Sequence, residues 1–198
     1  MEFEELFGKI EVKIKGMTPL LMHRIVEEEL ERRGRTSRKV PTHQEYADAH
    51  KYTTVIDGQE VMCILSQHIY SMVLEAAKGM KIGRSPAWKA FAGTIRIEPE
   101  FIPLKRDGEY IKGDDYEIDI RAVVVQSSKI LRARAKIPTP WEAEFVILYD
   151  KELHDEKSLE ILKIILEQGG RRVGLMDYRP QHKGWFGTFV VDKFEVKG

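Results

Sequence analysis

Cysteine is almost missing from this 198-residue chain, with Cys63 its single example. One thiol closes no internal disulfide, so the sequence points to a reducing, cytoplasmic setting. The expected role of Cys63 is that of a small buried apolar side chain. Long apolar runs are missing as well, since none approaches the ~18 residues that span a bilayer. The opening MEFEELFGKI is acidic where a secretion signal is basic. A soluble protein without a membrane partner is expected. An excess of one charge is also lacking, with 32 Lys and Arg against 32 Asp and Glu. That balance argues against wholesale packaging of nucleic acid but permits a basic track on one face.

Enzyme signatures are missing too. The chain has no GxxxxGK[ST], no GxSxG, and no GxGxxG between strand and helix. Its histidines, at 23, 43, 50, 68, 154 and 182, form no HExxH and no close group with cysteine at metal-ligand spacing. Acidic pairs such as Asp114–Asp115 and Asp155–Glu156 fall where turns and helix starts use them. The expectation is therefore a non-catalytic protein with no cofactor and no metal.

What is present is a regular alternation of elements. KIEVKIKG alternates Ile10, Val12 and Ile14 with charges, the period of a strand with one buried face. Residues 25–60 lack a lasting apolar period and read as a long, partly mobile insertion ending at a DG turn. Ser66 is the expected cap of a helix carrying Ile69, Met72, Val73, Ala76 and Ala77. GTIRIEPEFIPL reads as a strand, DGEY and KGDD as turns, and residues 116–150 as a hairpin leading into a further strand. SLEILKIILEQGG is a helix that Ser158 caps and that Gly169 and Gly170 end. GTFVVDKFEV closes the chain as a strand. The result is one α+β domain over 1–198 on the ferredoxin-like, RRM-like βαββαβ plan. It has an antiparallel sheet, two helices on one face, and a long insertion after the first strand. The other sheet face is expected to be free, as in RNA-recognition domains.

Three basic segments give this plan a direction. RRGRTSRK brings Arg35, Arg38 and Lys39 onto the insertion, either as a solvated loop or as a wrap for phosphates. KILRARAKIP places Arg132, Arg134 and Lys136 on one strand face, with Lys129 just before them. No acid occurs between Arg121 and Lys136, which favours an anion track. GGRRVGLMDYRPQHKGWFGTF adds Arg171, Arg172, Arg179 and Lys183 among glycines that permit positive φ and close backbone approach to a phosphate. Trp185 either stacks on a base or anchors the core. Phe186 is expected in the core.

IKGMTPLLMHR, residues 14–24 and ending in Arg24, and the glycine-rich basic segment 169–189 resemble the RAMP superfamily. The closest likeness is to backbone subunits of CRISPR effector complexes, and the same motifs are similar to small phage and prophage proteins. The resemblance implies subunits that polymerise along single-stranded DNA or RNA, contact its backbone and use the insertion as a thumb. The candidate nucleic-acid-binding set is thus Arg24, Arg35, Arg38, Lys39, Lys129, Arg132, Arg134, Lys136, Arg171, Arg172, Arg179, Lys183 and Trp185. The protein is expected to be a homo-oligomer.

Overall fold

A computed structural model describes residues 6–26, 41–125 and 127–197. The insertion cations Arg35, Arg38 and Lys39 lie outside the described residues.

Strand β1 (Phe7–Gly16) buries Ile10, Val12 and Ile14 on one side and turns Glu11, Lys13 and Lys15 to the other. It lies between β12 (Glu142–Asp150) and β13 (Phe189–Lys197), antiparallel to both. β12 pairs on its far side with β7 (Ile95–Glu98) and with β8 (Phe101–Arg106). The expected single strand over 93–104 is thus two strands, broken at Pro99, whose missing N–H cannot serve a ladder. The large sheet continues through β4 (Gln59–Leu65) to β3 (Thr53–Ile56), with β9 (Glu109–Tyr110) added to β8.

Helices α2 (Ser66–Ala76) and α4 (Glu156–Arg172) pack on the apolar side, against each other and against β7 and β13 respectively. The mixed α+β architecture and its antiparallel sheet agree with the expectation. Four α-helices are present among the described residues, because α1 (His43–Ala49) and α3 (Ala87–Phe91) join the two expected ones.

The opposite face of the sheet is free but not bare. Cross-strand ion pairs join Lys13 to Glu142 at 2.7 Å, Lys105 to Glu144 at 2.8 Å and Lys193 to Glu11 at 2.6 Å. Signs alternate, so this face offers no continuous attraction to a polyanion.

The described part of the insertion is docked. Thr42 and Glu45 form a reciprocal capping box: Glu45 N–H donates to Thr42 Oγ1 and Thr42 N–H to Glu45 Oε2. The sequence signature T-x-x-E was there to be read. β3 and β4 form a hairpin through Asp57 and Gly58, both left-handed, which is the chemistry a two-residue turn requires.

The hairpin of β10 (Glu117–Val125) and β11 (Ser128–Ile137) leaves the large sheet and forms its own with β2 (Leu20–Met22). α1 packs against its base and covers Ala133 and Ala135.

Helix α4 corrects the expected role of its glycines. The helix runs through Gly169 and Gly170 to Arg172 and ends at Gly174, whose left-handed φ of 72° favours glycine. A Cβ on Gly169 would lie 2.1 Å from Met72 Sδ on α2. The two glycines therefore let α4 approach α2 and β13. The caps differ by a residue or more as well: Asp155, not Ser158, caps α4 by accepting from Ser158 N–H, and Leu65 precedes α2 where Ser66 was expected.

Candidate nucleic-acid interface

The two segments that carry the resemblance touch. Met17 N–H donates to Thr188 O, Asp177 N–H to Leu21 O, and Gly187 N–H to Pro19 O. The glycine-rich segment is pinned along the chain leaving β1, so it has a fixed place beside β2 and hence beside β11.

Asp177 fixes that contact. Met176 (φ 65°) and Tyr178 (φ 51°) are left-handed on either side of it. Its Oδ2 accepts from Arg134 Nε at 2.5 Å, and its Oδ1 accepts from Tyr178 N–H at 3.0 Å. Non-glycine residues in this region store strain, tolerated where the surroundings over-determine them. Here the ion pair and the backbone bond to Leu21 do so.

The strand track is correspondingly different from its expectation. Arg134 is 2% exposed and committed to Asp177. Lys136 pairs with Glu117 at 2.5 Å, and Arg121 with Asp119 at 2.7 Å. The stretch is free of acids in sequence but not in space, because the antiparallel register sets Glu117 opposite Lys136 and Asp119 opposite Arg134. Arg132 has no ion pair among the described residues. It is half-buried, and its Nε is shielded from solvent without a hydrogen-bond partner. Lys129 is exposed nearer the hairpin tip.

Arg132 lines a cavity of about 190 Å³ together with His23, Tyr52, His68, Asp177 and Arg179. Tyr52, His68 and Arg179 also line a neighbouring cavity of about 310 Å³ beside α2. Burial first, then the Arg132 charge, pushes His23 down to about 4. Burial and the Arg179 charge push His68 down to about 4 as well. Both imidazoles are neutral near pH 7. Burial also lowers Arg179, whose Nη1 donates to Met176 O at 2.7 Å. His23, His68, Tyr52 and Asp177 were not in the expected binding set. They come from four separate stretches, and no local pattern announces their meeting.

The glycines of the segment serve its own folding. A Cβ on Gly184 would lie 1.7 Å from Tyr178 O, and one on Gly187 would lie 2.0 Å from Leu175 O. The N–H groups of Gly174, Gly184 and Gly187 donate to Gly169, Arg179 and Pro19 carbonyls. These donors are spent internally, so the expected backbone cradle for an anion does not form from them. Phe186 is in the core at 1% exposure, as expected, with the Arg121 guanidinium 4.7 Å from its ring centroid. Trp185 is 54% exposed, its ring centroid 4.3 Å from that of Phe186. Of its two readings, the core anchor is thereby removed.

Other candidates lie apart. Arg171 and Arg172 are exposed on the last turn of α4, where cations suit the helix dipole regardless of any ligand. Lys183 is exposed and left-handed after the short 3₁₀ turn Pro180–His182. Arg24 is exposed beside Ala49 O, and its N–H donates to His50 O. Cys63 is buried, and burial raises its thiol to about 12, which makes it inert.

This architecture is similar in fold to chains of two solved CRISPR complexes. Over 98% of the chain, it is similar to a chain in a cryo-EM structure of the type III-B Cmr-beta bound to cognate target RNA, with 14% identity and a TM-score of 0.59. It spans only 61% of that chain's length. A chain in a type IV-B CRISPR complex matches over 96% of this chain and 90% of its own, with 10% identity and a TM-score of 0.52. No protein-family model and no curated protein matches the sequence.

Proposed function

We propose that this protein is a non-catalytic component of a CRISPR-type effector complex that binds single-stranded nucleic acid and associates with copies of itself along the strand. The observation that carries this reading is the meeting of the glycine-rich segment with the cationic side of the β10–β11 hairpin. There Arg132 holds an unpartnered buried donor, Arg179 stands across the cavity, and Trp185 offers an indole to solvent. Cations would hold phosphates while the indole stacks on a base of any identity. The fold shared with subunits of CRISPR complexes supports membership of such an assembly.

Fluorescence anisotropy with labelled single strands of DNA and RNA at several salt concentrations tests it. Binding that weakens steeply with salt is expected, because phosphate contacts release counterions. No binding at low salt would sink the reading.

A second reading, an assembly component that meets protein partners only, has one observation in its favour. The other side of the hairpin exposes Ile118, Ile120 and Leu131, the last by 67%. Light scattering after size exclusion, with and without oligonucleotide, separates the two: oligomers whose mass ignores the oligonucleotide favour protein partners alone.

A further inference from the structure

We infer that the cavity between β11, the end of β2, the first turn of α2 and the glycine-rich segment is a discrete pocket for one phosphate group, and that filling it takes up a proton on His23. This deepens the reading of that face as a nucleic-acid surface, and rests on it.

The charges argue for an anion. Arg132 and Arg179 both line the cavity. The one acid there, Asp177, is neutralised by Arg134 and has each oxygen engaged. Two guanidinium groups, of which Arg132 has no acid paired with it among the described residues, therefore line a space of about 190 Å³, which suits a single tetrahedral oxyanion. Arg132 Nε, on a residue lining the cavity, is a buried donor without a partner. Leaving such a group unmet costs roughly 1–3 kcal/mol, so an arriving acceptor has something to repay.

His23 adds a regulatory term. His23 faces Arg132 on β11, Asp177 on the glycine-rich segment, and His50 and Tyr46 on the α1 side, with Tyr46 Oη 3.2 Å from its Nε2. His68 faces Arg179 and stands edge-on to Tyr52, while its Nδ1 accepts from Leu65 N–H at 3.1 Å. Burial and the arginine charges keep both neutral. An anion placed beside Arg132 reverses the local field and favours the imidazolium at His23, while His68 stays neutral because its Nδ1 already accepts from Leu65 N–H. Proton uptake on binding means that affinity falls as pH rises through the bound-state value.

The experiment follows the imidazole resonances of the full chain by NMR while inorganic phosphate is added. A parallel series uses sulfate, whose charge is constant from pH 5.5 to 7.5. A shift of His23, and sulfate binding that tightens toward pH 5.5, are expected. Arg132→Gln should weaken both anions about tenfold or more, as hydrogen bonds to charged groups contribute ~1.5–3 kcal/mol. Arg179→Gln, on the opposite wall, supplies the same test should Arg132→Gln fail to melt cooperatively. Competition by oligonucleotides with and without a 5′-phosphate distinguishes the source. Equal competition identifies a backbone phosphate, competition by the phosphorylated strand alone identifies a terminal one, and neither identifies a small phosphorylated molecule. Oligonucleotide binding with a silent His23 and no response to phosphate or sulfate would overturn the pocket and leave the wider nucleic-acid reading standing. Pocket shifts with no strand binding at low salt would do the reverse.

Discussion

Gly170 stands where a methyl group has no room. A Cβ there would lie 2.5 Å from the carbonyl oxygen of Phe189, a backbone atom of β13 that cannot step aside as a side chain would. Alanine is the better helix former by about 1 kcal/mol. Overpacking costs about 1–3 kcal/mol, so Gly170→Ala should lower stability despite the propensity gain, as read by chemical denaturation. A gain in stability would mean that α4 and β13 are less closely packed than described. At this scale the sequence announced composition better than role. Glycine next to glycine at the end of an apolar helical stripe reads as a stop. Only the neighbouring Met72 and Phe189, far away in sequence, reveal a close approach.

The hairpin and the glycine-rich segment form the candidate site as a pair, and under the proposed function their variants should fail differently. Arg132→Ala should weaken strand binding equally for all sequences and reduce the salt slope by about 0.7. Trp185→Ala should weaken binding by about 1–3 kcal/mol per stacked base with the slope kept. Its exposure predicts a melt unchanged within about 0.5 kcal/mol. Titrations at four or more salt concentrations check both, and equal slope changes for the two variants would refute the division of labour. Much of this was legible: the basic strand, the buried Phe186 and the two DG turns follow from alternation and turn chemistry. The long-range ion pairs were not, because the register brings Glu117 against Lys136, and the fold brings Asp177 against Arg134, from more than ten residues away. The cavity was not either, since Tyr52 and His68 reach it from separate elements. The helix α1 was legible in T-x-x-E, but its polarity and lack of a long apolar stripe hid it.

For the molecule as a whole, acidity should act through the buried histidines before it acts through the carboxylates. His23 and His68 titrate near 4 in the folded protein against an ordinary value of 6.5. Between those values the unfolded chain binds more protons than the folded one, so stability falls as pH drops from about 6.5 to about 4. Denaturation midpoints measured across that window should decline. The decline should be smaller in His68→Asn, because the substituted side chain no longer titrates. A flat profile would mean that water reaches both rings.

The ends of the large sheet have a bearing on how copies could meet. β13 closes one end, and along it Lys193, Glu195 and Lys197 form a lattice with Glu11 of β1. A strand edge dressed with charges resists extension by a neighbouring strand. Growth of an array by sheet-to-sheet continuation is thereby discouraged. The hairpin, which stands off the sheet with Ile120 and Leu131 uncovered, is the better place for a head-to-tail contact. Such a contact joins two unlike surfaces and need not close on itself, so under the proposed self-association the number of copies would be set by the length of the strand they share.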